Sequence, residues 1–221
     1  PPPSATILRR RQTVSRDVLT MRVISGRARN MRLECPTGDD VRPVPEMARE
    51  AIFNILREDV ADAEVLDLFA GAGTMGIEAL SRGAAWCVFV ERSPRVRNVL
   101  EKNLAHTRLA EFCDVLQRNA LTCLPALSRL DRVFDLVFVA PPFPMFLDPV
   151  QKQGILALTG ELERTGLLRP RARIILQHEK RSGVNDIPPG LALEQQRVYG
   201  RNLFNFYVRA GEAEPAPGDD T

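Results

Sequence analysis

From about residue 63 the chain alternates short β-branched and apolar runs with helical ones, and that alternation leaves few folds open. Strands are expected over 65–69, 86–90, 112–117, 134–139 and 172–177, with helices near 74–82, 94–106 and 120–129. Strand and helix in turn imply a parallel, doubly wound sheet, because a right-handed crossover must carry each helix back over the sheet. After Pro188-Pro189-Gly190 the texture changes to two runs, 192–199 and 203–209, joined by Gly200-Arg201-Asn202. That is a hairpin signal, so the sheet is expected to end in antiparallel strands. The fold class is therefore α/β: a mostly parallel, seven-stranded Rossmann-like sheet with a small N-terminal extension.

The 221 residues suffice for one full-sized core, with 44% hydrophobic and 26% charged content. Residues 1–20 open on Pro-Pro-Pro, show no sustained period and read as a mobile basic arm. Residues 21–60 carry a small hairpin, with runs from Met21 and from Met31, and a helix over 46–58 behind Pro43 and Pro45. Residues 61–210 hold the sheet, and 211–221 form an acidic tail with Glu212, Glu214, Asp219 and Asp220. The net charge of +2 hides an asymmetry: Arg9, Arg10, Arg11, Arg16, Arg22, Arg27, Arg29 and Arg32 face only Asp17.

Cys35, Cys87, Cys113 and Cys123 show neither metal-ligand spacing nor a Cys-x-x-Cys pair, which predicts reduced thiols and no metal site. No apolar stretch approaches the roughly 20 residues that span a bilayer. The start lacks the apolar segment of a secretory leader. A cytoplasmic, membrane-free, monomeric protein is the expectation.

The first strand hands over to a helix through Asp67-Leu68-Phe69-Ala70-Gly71-Ala72-Gly73-Thr74-Met75-Gly76. Gly71, Gly73 and Gly76 fit a dinucleotide fingerprint, with Glu91 near the distance for a ribose contact, so a nicotinamide-dependent dehydrogenase is one reading. Asp67 argues against it. A carboxylate at that turn repels a pyrophosphate but suits the sulfonium and ammonium groups of S-adenosylmethionine. Glu91 then serves the ribose hydroxyls, Asn119 the adenine edge, and the backbone at Phe69, Gly71 and Gly73 the amino-acid portion. Taken alone, Glu91 reads as a solvated strand-end charge and Asn119 as a helix N-cap. Polar residues at three successive strand ends, at the edge where such sheets bind ligands, say more than either does singly.

The fourth strand ends in Ala140-Pro141-Pro142-Phe143. Enzymes that methylate a base amine end this strand with Asp or Asn, two prolines and an aromatic. The amine's lone pair is delocalised into the ring, and acceptors on its hydrogens localise and aim it. The aromatic stacks on a base drawn out of its helix. Here the side-chain acceptor is replaced by Ala140. Losing one aimed acceptor costs about 2–4 kcal/mol, roughly 10²–10³ in rate. His178 reads as a surface residue at a strand end and His106 as a cation favoured at a helix end, and neither enters the chemistry.

Met21 to Gly26, Arg42-Pro43, Arg49 to Asn54, Asp67 to Gly76, Glu78 to Ala84 and Tyr199-Gly200 together resemble the bacterial RsmD family. The resemblance covers about 21–209 and implies a class I methyltransferase that uses S-adenosylmethionine to methylate N2 of a guanine in small-subunit (16S) ribosomal RNA. By that resemblance Asp67, Gly71, Gly73, Glu91 and Asn119 match donor-binding positions, and Pro141, Pro142 and Phe143 match part of the catalytic loop. Ala140 departs from the family's Asp. The family's early Gly-Gly and Trp-Arg-Gly-Arg segment is reduced to Ser25-Gly26 and Ala28-Arg29-Asn30-Met31. Arg22, Arg27, Arg29, Arg32, Arg42 and Arg49 are the candidate phosphate contacts, on naked RNA or on an assembling small subunit. The rival is a donor-binding, catalytically weak RNA-binding protein whose chemistry went with the acceptor.

Overall fold

The computed structural model describes residues 19–36, 44–182 and 186–212. In chain order the elements are β1 (Leu19–Arg22), β2 (Arg32–Cys35), α1 (Glu46–Ile55), β3 (Glu64–Leu68), α2 (Thr74–Ser81), β4 (Trp86–Val90), α3 (Pro94–Thr107), β5 (Cys113–Leu116), α4 (Leu124–Leu127), β6 (Phe134–Val139), α5 (Pro149–Arg164), β7 (Leu168–Glu179), β8 (Leu191–Tyr199) and β9 (Asn202–Arg209). Strands β3 to β9 form one sheet in the order β5-β4-β3-β6-β7-β9-β8, parallel from β5 to β7 and antiparallel where β9 meets β7 and β8. The expected doubly wound sheet with an antiparallel hairpin at its end is present. The chain reverses direction across the sheet between β3 and β6, the switch point at which such folds open a crevice.

Both faces of the sheet are covered, so the strands read as apolar runs rather than alternating ones. Successive residues still part company. Val65, Cys87, Phe89, Leu136, Phe138 and Ile175 pack against α1, α2 and α3, whereas Leu66, Val88, Val137, Val139 and Leu176 pack against α5. Two helix starts follow capping chemistry. Ser93 accepts from the Val96 N–H ahead of Pro94, and Asp148 accepts from the Val150 and Gln151 N–H groups ahead of Pro149.

Several elements differ from the sequence expectation. The helix expected over 120–129 is a 3-10 turn, Ala120–Thr122, followed by the short α4; Pro125 has no N–H to give a longer helix and is tolerated only in a first turn. The sequence pattern predicts no helix where α5 lies, because Gly154 and Gly160 weaken its helical signal. A Cβ on Gly160 would lie 2.7 Å from the Pro189 carbonyl oxygen, so close packing rather than propensity places that glycine. Strand β1 starts at Leu19, two residues inside the expected arm; the remainder of that arm and the acidic tail beyond Glu212 lie outside the described residues.

The N-terminal extension shares the sheet's core: Val23, Ala28 and Leu33 belong to the same apolar cluster as α1, α2 and α3. Buried polar groups fasten it. Glu78 accepts from the Ile24 and Ser25 N–H groups at 2.8 and 3.1 Å, and Ser81 Oγ accepts from the Ala28 N–H at 3.0 Å. Between them Gly26 has φ +82°, and a Cβ there would sit 1.7 Å from the Ser81 carbonyl oxygen, so only glycine fits. Asn103 of α3 pairs with both backbone groups of Glu34 on β2 and also donates to the Ala72 carbonyl at 3.0 Å.

Candidate active site

The carboxyl ends of β3, β4, β6 and β7, with the segment that follows β5, line a cavity of about 720 Å³, within the size range of a cofactor site. Its lining includes Asp67, Phe69, Gly71, Glu91, Asn119, Ala140, Pro141, Pro142 and Phe143. These are nine of the ten donor and loop positions singled out from sequence, drawn from four strands. Gly73 is not among the lining residues. It caps α2 with φ +83°, and a Cβ on it would come 2.3 Å from Leu100 Cδ1, so its part is to let α2 and α3 close on each other.

The turn after β3 is left-handed at Phe69 (φ 60°) and Gly71 (φ 57°). A phenylalanine in that conformation costs roughly 1–2 kcal/mol and persists because its surroundings hold it. Glu91 is one such constraint, its two oxygens accepting from the Gly71 N–H at 3.0 Å and the Ser93 N–H at 2.7 Å. It is thus a buried clamp on the glycine turn as well as a wall of the cavity. Asn119 caps the turn after β5, its Oδ1 accepting from the Leu121 N–H at 3.1 Å, and also borders the cavity.

Asp67 is buried, and its Oδ2 accepts from the Gly76 N–H at 2.9 Å. Desolvation raises its pKa to about 8, the Gly76 hydrogen bond opposes the rise, and the nearby Glu91 charge adds to it. A carboxyl in that state is a poor floor for a pyrophosphate. A cation set beside it would favour the ionised form, so the acid suits a positively charged, phosphate-free donor. Gly76 packs under the sheet, where a Cβ would meet the Phe89 ring at 2.3 Å.

The fourth strand end lies alongside. Ala140 N–H donates to the Leu68 carbonyl at 3.3 Å, which ties the loop to the turn that follows β3. The Pro142 carbonyl accepts from the Met145 N–H at 3.0 Å; among the described residues nothing donates to the Pro141 carbonyl, which stays open as an acceptor. Phe143 is half-buried, with the Arg201 guanidinium 5.4 Å from its ring centre, and Arg201 in turn pairs with Glu179 at 3.3 Å. Gln177, Glu179 and Arg201 all line the cavity and went unnoticed in the sequence. The signal that could have found them is positional: Gln177 and Glu179 fall near the carboxyl end of the strand next to β6, and Arg201 lies in the hairpin turn beside it.

Two expectations need correction. Arg49 is not a surface phosphate contact: it is fully buried, its Nε lies 3.6 Å from Glu78, and its guanidinium donates to the Arg22 carbonyl. Burial lowers its pKa, against the nearby Glu78 charge. His178 is not on the surface. Strand β7 runs on to Glu179 and pairs with β9 there, so His178 lies inside the sheet at 1% exposure, bonded to Ser182 Oγ at 2.9 Å and Asn205 Nδ2 at 3.2 Å. Burial lowers its pKa as well. Arg22, Arg27, Arg29 and Arg32 are exposed, although Arg22 pairs with Glu46 at 2.6 Å and Arg27 lies over the Phe112 ring. Arg42 lies outside the described residues. Among the described residues no cluster of His, Cys, Asp and Glu could hold a metal ion, and no helix is long and apolar enough to cross a membrane.

A seven-stranded sheet of this order, with an acid under a glycine turn and a Pro-Pro-aromatic loop on the same crevice, defines a class I S-adenosylmethionine-dependent methyltransferase. Relatives give the particular family. The family model described as "Conserved hypothetical protein 95" matches residues 21–208. The Escherichia coli K12 protein named "Ribosomal RNA small subunit methyltransferase D" is 34% identical over 88% of this chain and 92% of its own length. A Haemophilus influenzae protein of the same name is 34% identical over 72% of this chain and 79% of its own. A solved Escherichia coli structure superposes with a TM-score of 0.68 at 34% identity, covering 88% of this chain and 99% of that one. The chain belongs to this family of methyltransferases, and the dehydrogenase reading falls with that membership.

Proposed function

We propose that this chain transfers a methyl group from S-adenosylmethionine to the exocyclic N2 amine of a guanine in small-subunit ribosomal RNA. The observation that carries the reading is that the Pro141-Pro142-Phe143 loop and the Asp67 turn line one cavity, so a base and a methyl donor can meet there. The similar proteins named for small-subunit ribosomal RNA support the choice of substrate. Ribosomal RNA, free or in an assembling subunit, is then the partner, and the cytoplasm the place of action.

The donor supplies an electrophilic methyl on a sulfonium, a leaving group that needs no strong base. The chain's residues do the positioning. Asp67 gives the cationic amino-acid portion a counter-charge, Glu91 and Asn119 offer lone pairs beyond those spent on backbone N–H groups, and the left-handed Phe69–Gly71 turn brings main chain close. Phe143 offers its face to an everted guanine, with Arg201 beyond it, and the Pro141 carbonyl accepts one hydrogen of the amine. Holding the amine near the donor converts a bimolecular step into an effectively unimolecular one. Arg27, Arg29 and Arg32 on the hairpin hold phosphates.

The test uses small ribosomal subunits from cells lacking this methylation, labelled S-adenosylmethionine, and nuclease digestion to nucleosides. Label in N2-methylguanosine is expected; label in no nucleoside, or at a ring nitrogen, would refute the reading.

A further inference from the structure

The geometry points to Gln177 as the side-chain acceptor that holds the substrate amine in place of the missing carboxyl at Ala140, a catalytic role that rests on the base-amine reading above. Strands β6 and β7 run parallel with Val139 opposite Leu176, so the next residues, Ala140 just past the end of β6 and Gln177 near the carboxyl end of β7, lie side by side and extend toward the same face. Both line the cavity that holds Pro141, Pro142 and Phe143. Truncation to alanine at 140 leaves room that the longer side chain one strand away can fill.

The orientation of the Gln177 amide follows from a chain of donors that starts on an unambiguous group. The Tyr199 backbone carbonyl can only accept, so Asn202 turns its Nδ2 toward it, at 3.3 Å. Asn202 Oδ1 therefore faces Gln177, and Gln177 must present its Nε2, which donates to that oxygen at 2.9 Å. The Gln177 Oε1 is thus directed away from Asn202. Among the described residues no group donates to that oxygen, and it is not one of the fully buried unpaired atoms. An acceptor on a buried residue that lines the cavity, fixed by the hydrogen bond of its own amide and met by no donor among the described residues, has the properties asked of an aimed amine contact. Of the other two amides on the cavity, Asn119 spends its Oδ1 on the Leu121 N–H at 3.1 Å and Gln151 donates its Nε2 to Asp148 at 3.0 Å from the first turn of α5, while Glu179 is held by Arg201.

With Gln177 Oε1 on one amine hydrogen and the Pro141 carbonyl on the other, the nitrogen lone pair is localised. The amine forms the new N–CH3 bond as the S–CH3 bond breaks, the bonding pair stays on sulfur to give a neutral thioether, and the amine's proton leaves to water. A neutral amide suits this step because the proton need not be captured by the acceptor.

The test is a comparison of the wild-type chain, Gln177→Met and Gln177→Met with Ala140→Asp, assayed with labelled S-adenosylmethionine on under-methylated small subunits, donor affinity being measured separately by calorimetry. Gln177→Met should lower kcat roughly 10²-fold or more with donor affinity within about twofold, and Ala140→Asp in that chain should restore most of the loss. Asn202→Leu, which frees the amide to rotate, should lower kcat without moving donor affinity, and it decides the matter if Gln177→Met fails to bind donor. Wild-type kcat in Gln177→Met, no recovery on adding Ala140→Asp, or an unchanged kcat in Asn202→Leu where that variant decides, would overturn the proposal. Label at another exocyclic amine with the same sensitivity to Gln177→Met would overturn the N2 assignment while upholding Gln177. Absence of transfer to any base amine by the wild-type chain would overturn both.

Discussion

Replacing Asp67 by Asn keeps the shape of the side chain and its acceptor to the Gly76 N–H while removing its capacity for charge. With burial lifting the carboxyl to about 8, it is about 90% protonated at pH 7, half protonated at pH 8 and about 10% protonated at pH 9. A donor that binds the ionised form must therefore displace close to one proton at pH 7. Wild-type affinity for S-adenosylmethionine, divided by that of Asp67→Asn, should rise about fivefold from pH 7 to 8 and roughly tenfold by pH 9. Taking the ratio cancels the donor's own amino group, which titrates in the same range. Calorimetry in two buffers of different ionisation enthalpy counts the protons directly. Folding reports the same group: because the folded value lies above the ordinary 3.8, the native state keeps a proton that the unfolded chain sheds, so its stabilising contribution declines as pH rises from about 4 to about 8. Asp67→Asn should lack that slope. A flat affinity ratio between pH 7 and 9, with no proton released by the wild-type chain, would refute the assignment of Asp67 as the donor's counter-charge.

Glu78→Ala should destabilise the protein by about 3–5 kcal/mol in denaturant unfolding, because it strands the buried Arg49 guanidinium and two hairpin N–H groups; a loss below about 1 kcal/mol would mean the cluster is wet. Changing Arg27, Arg29 and Arg32 together to Ala should weaken RNA binding and reduce the slope of log K against log salt by about 2–3, while donor affinity stays unchanged. An unaltered slope would remove the hairpin from the RNA interface.

The sheet was legible because alternation of strand and helix is a property of contiguous residues, and the glycine turn that lines the cavity was legible because Asp67 interrupts an apolar strand where a carboxylate needs a reason. What escaped depends on neighbours distant in sequence. Arg49 looks like a surface cation in its helix, yet Glu78 and the Arg22 carbonyl, brought in by the hairpin, allow it to be buried. His178 looked terminal because nothing near it marks where β7 stops; its pairing with β9 decides that. Gln177 was silent for a related reason: a glutamine after an apolar run has no pattern of its own, and its place beside Ala140 exists only in the register of β6 and β7.

Asn103 spends its side chain on both the hairpin and the glycine turn, taking the Glu34 N–H and giving hydrogens to the Glu34 and Ala72 carbonyls. One planar amide thus sets the spacing between β2 and the glycine turn, the two segments to which the proposed function assigns phosphate contact and methyl donor. Under the proposed function the hairpin and the glycine turn then form a fixed ruler: where the RNA backbone is gripped would determine how far along it a base must lie to reach the methyl group, a distance already set in the unbound protein.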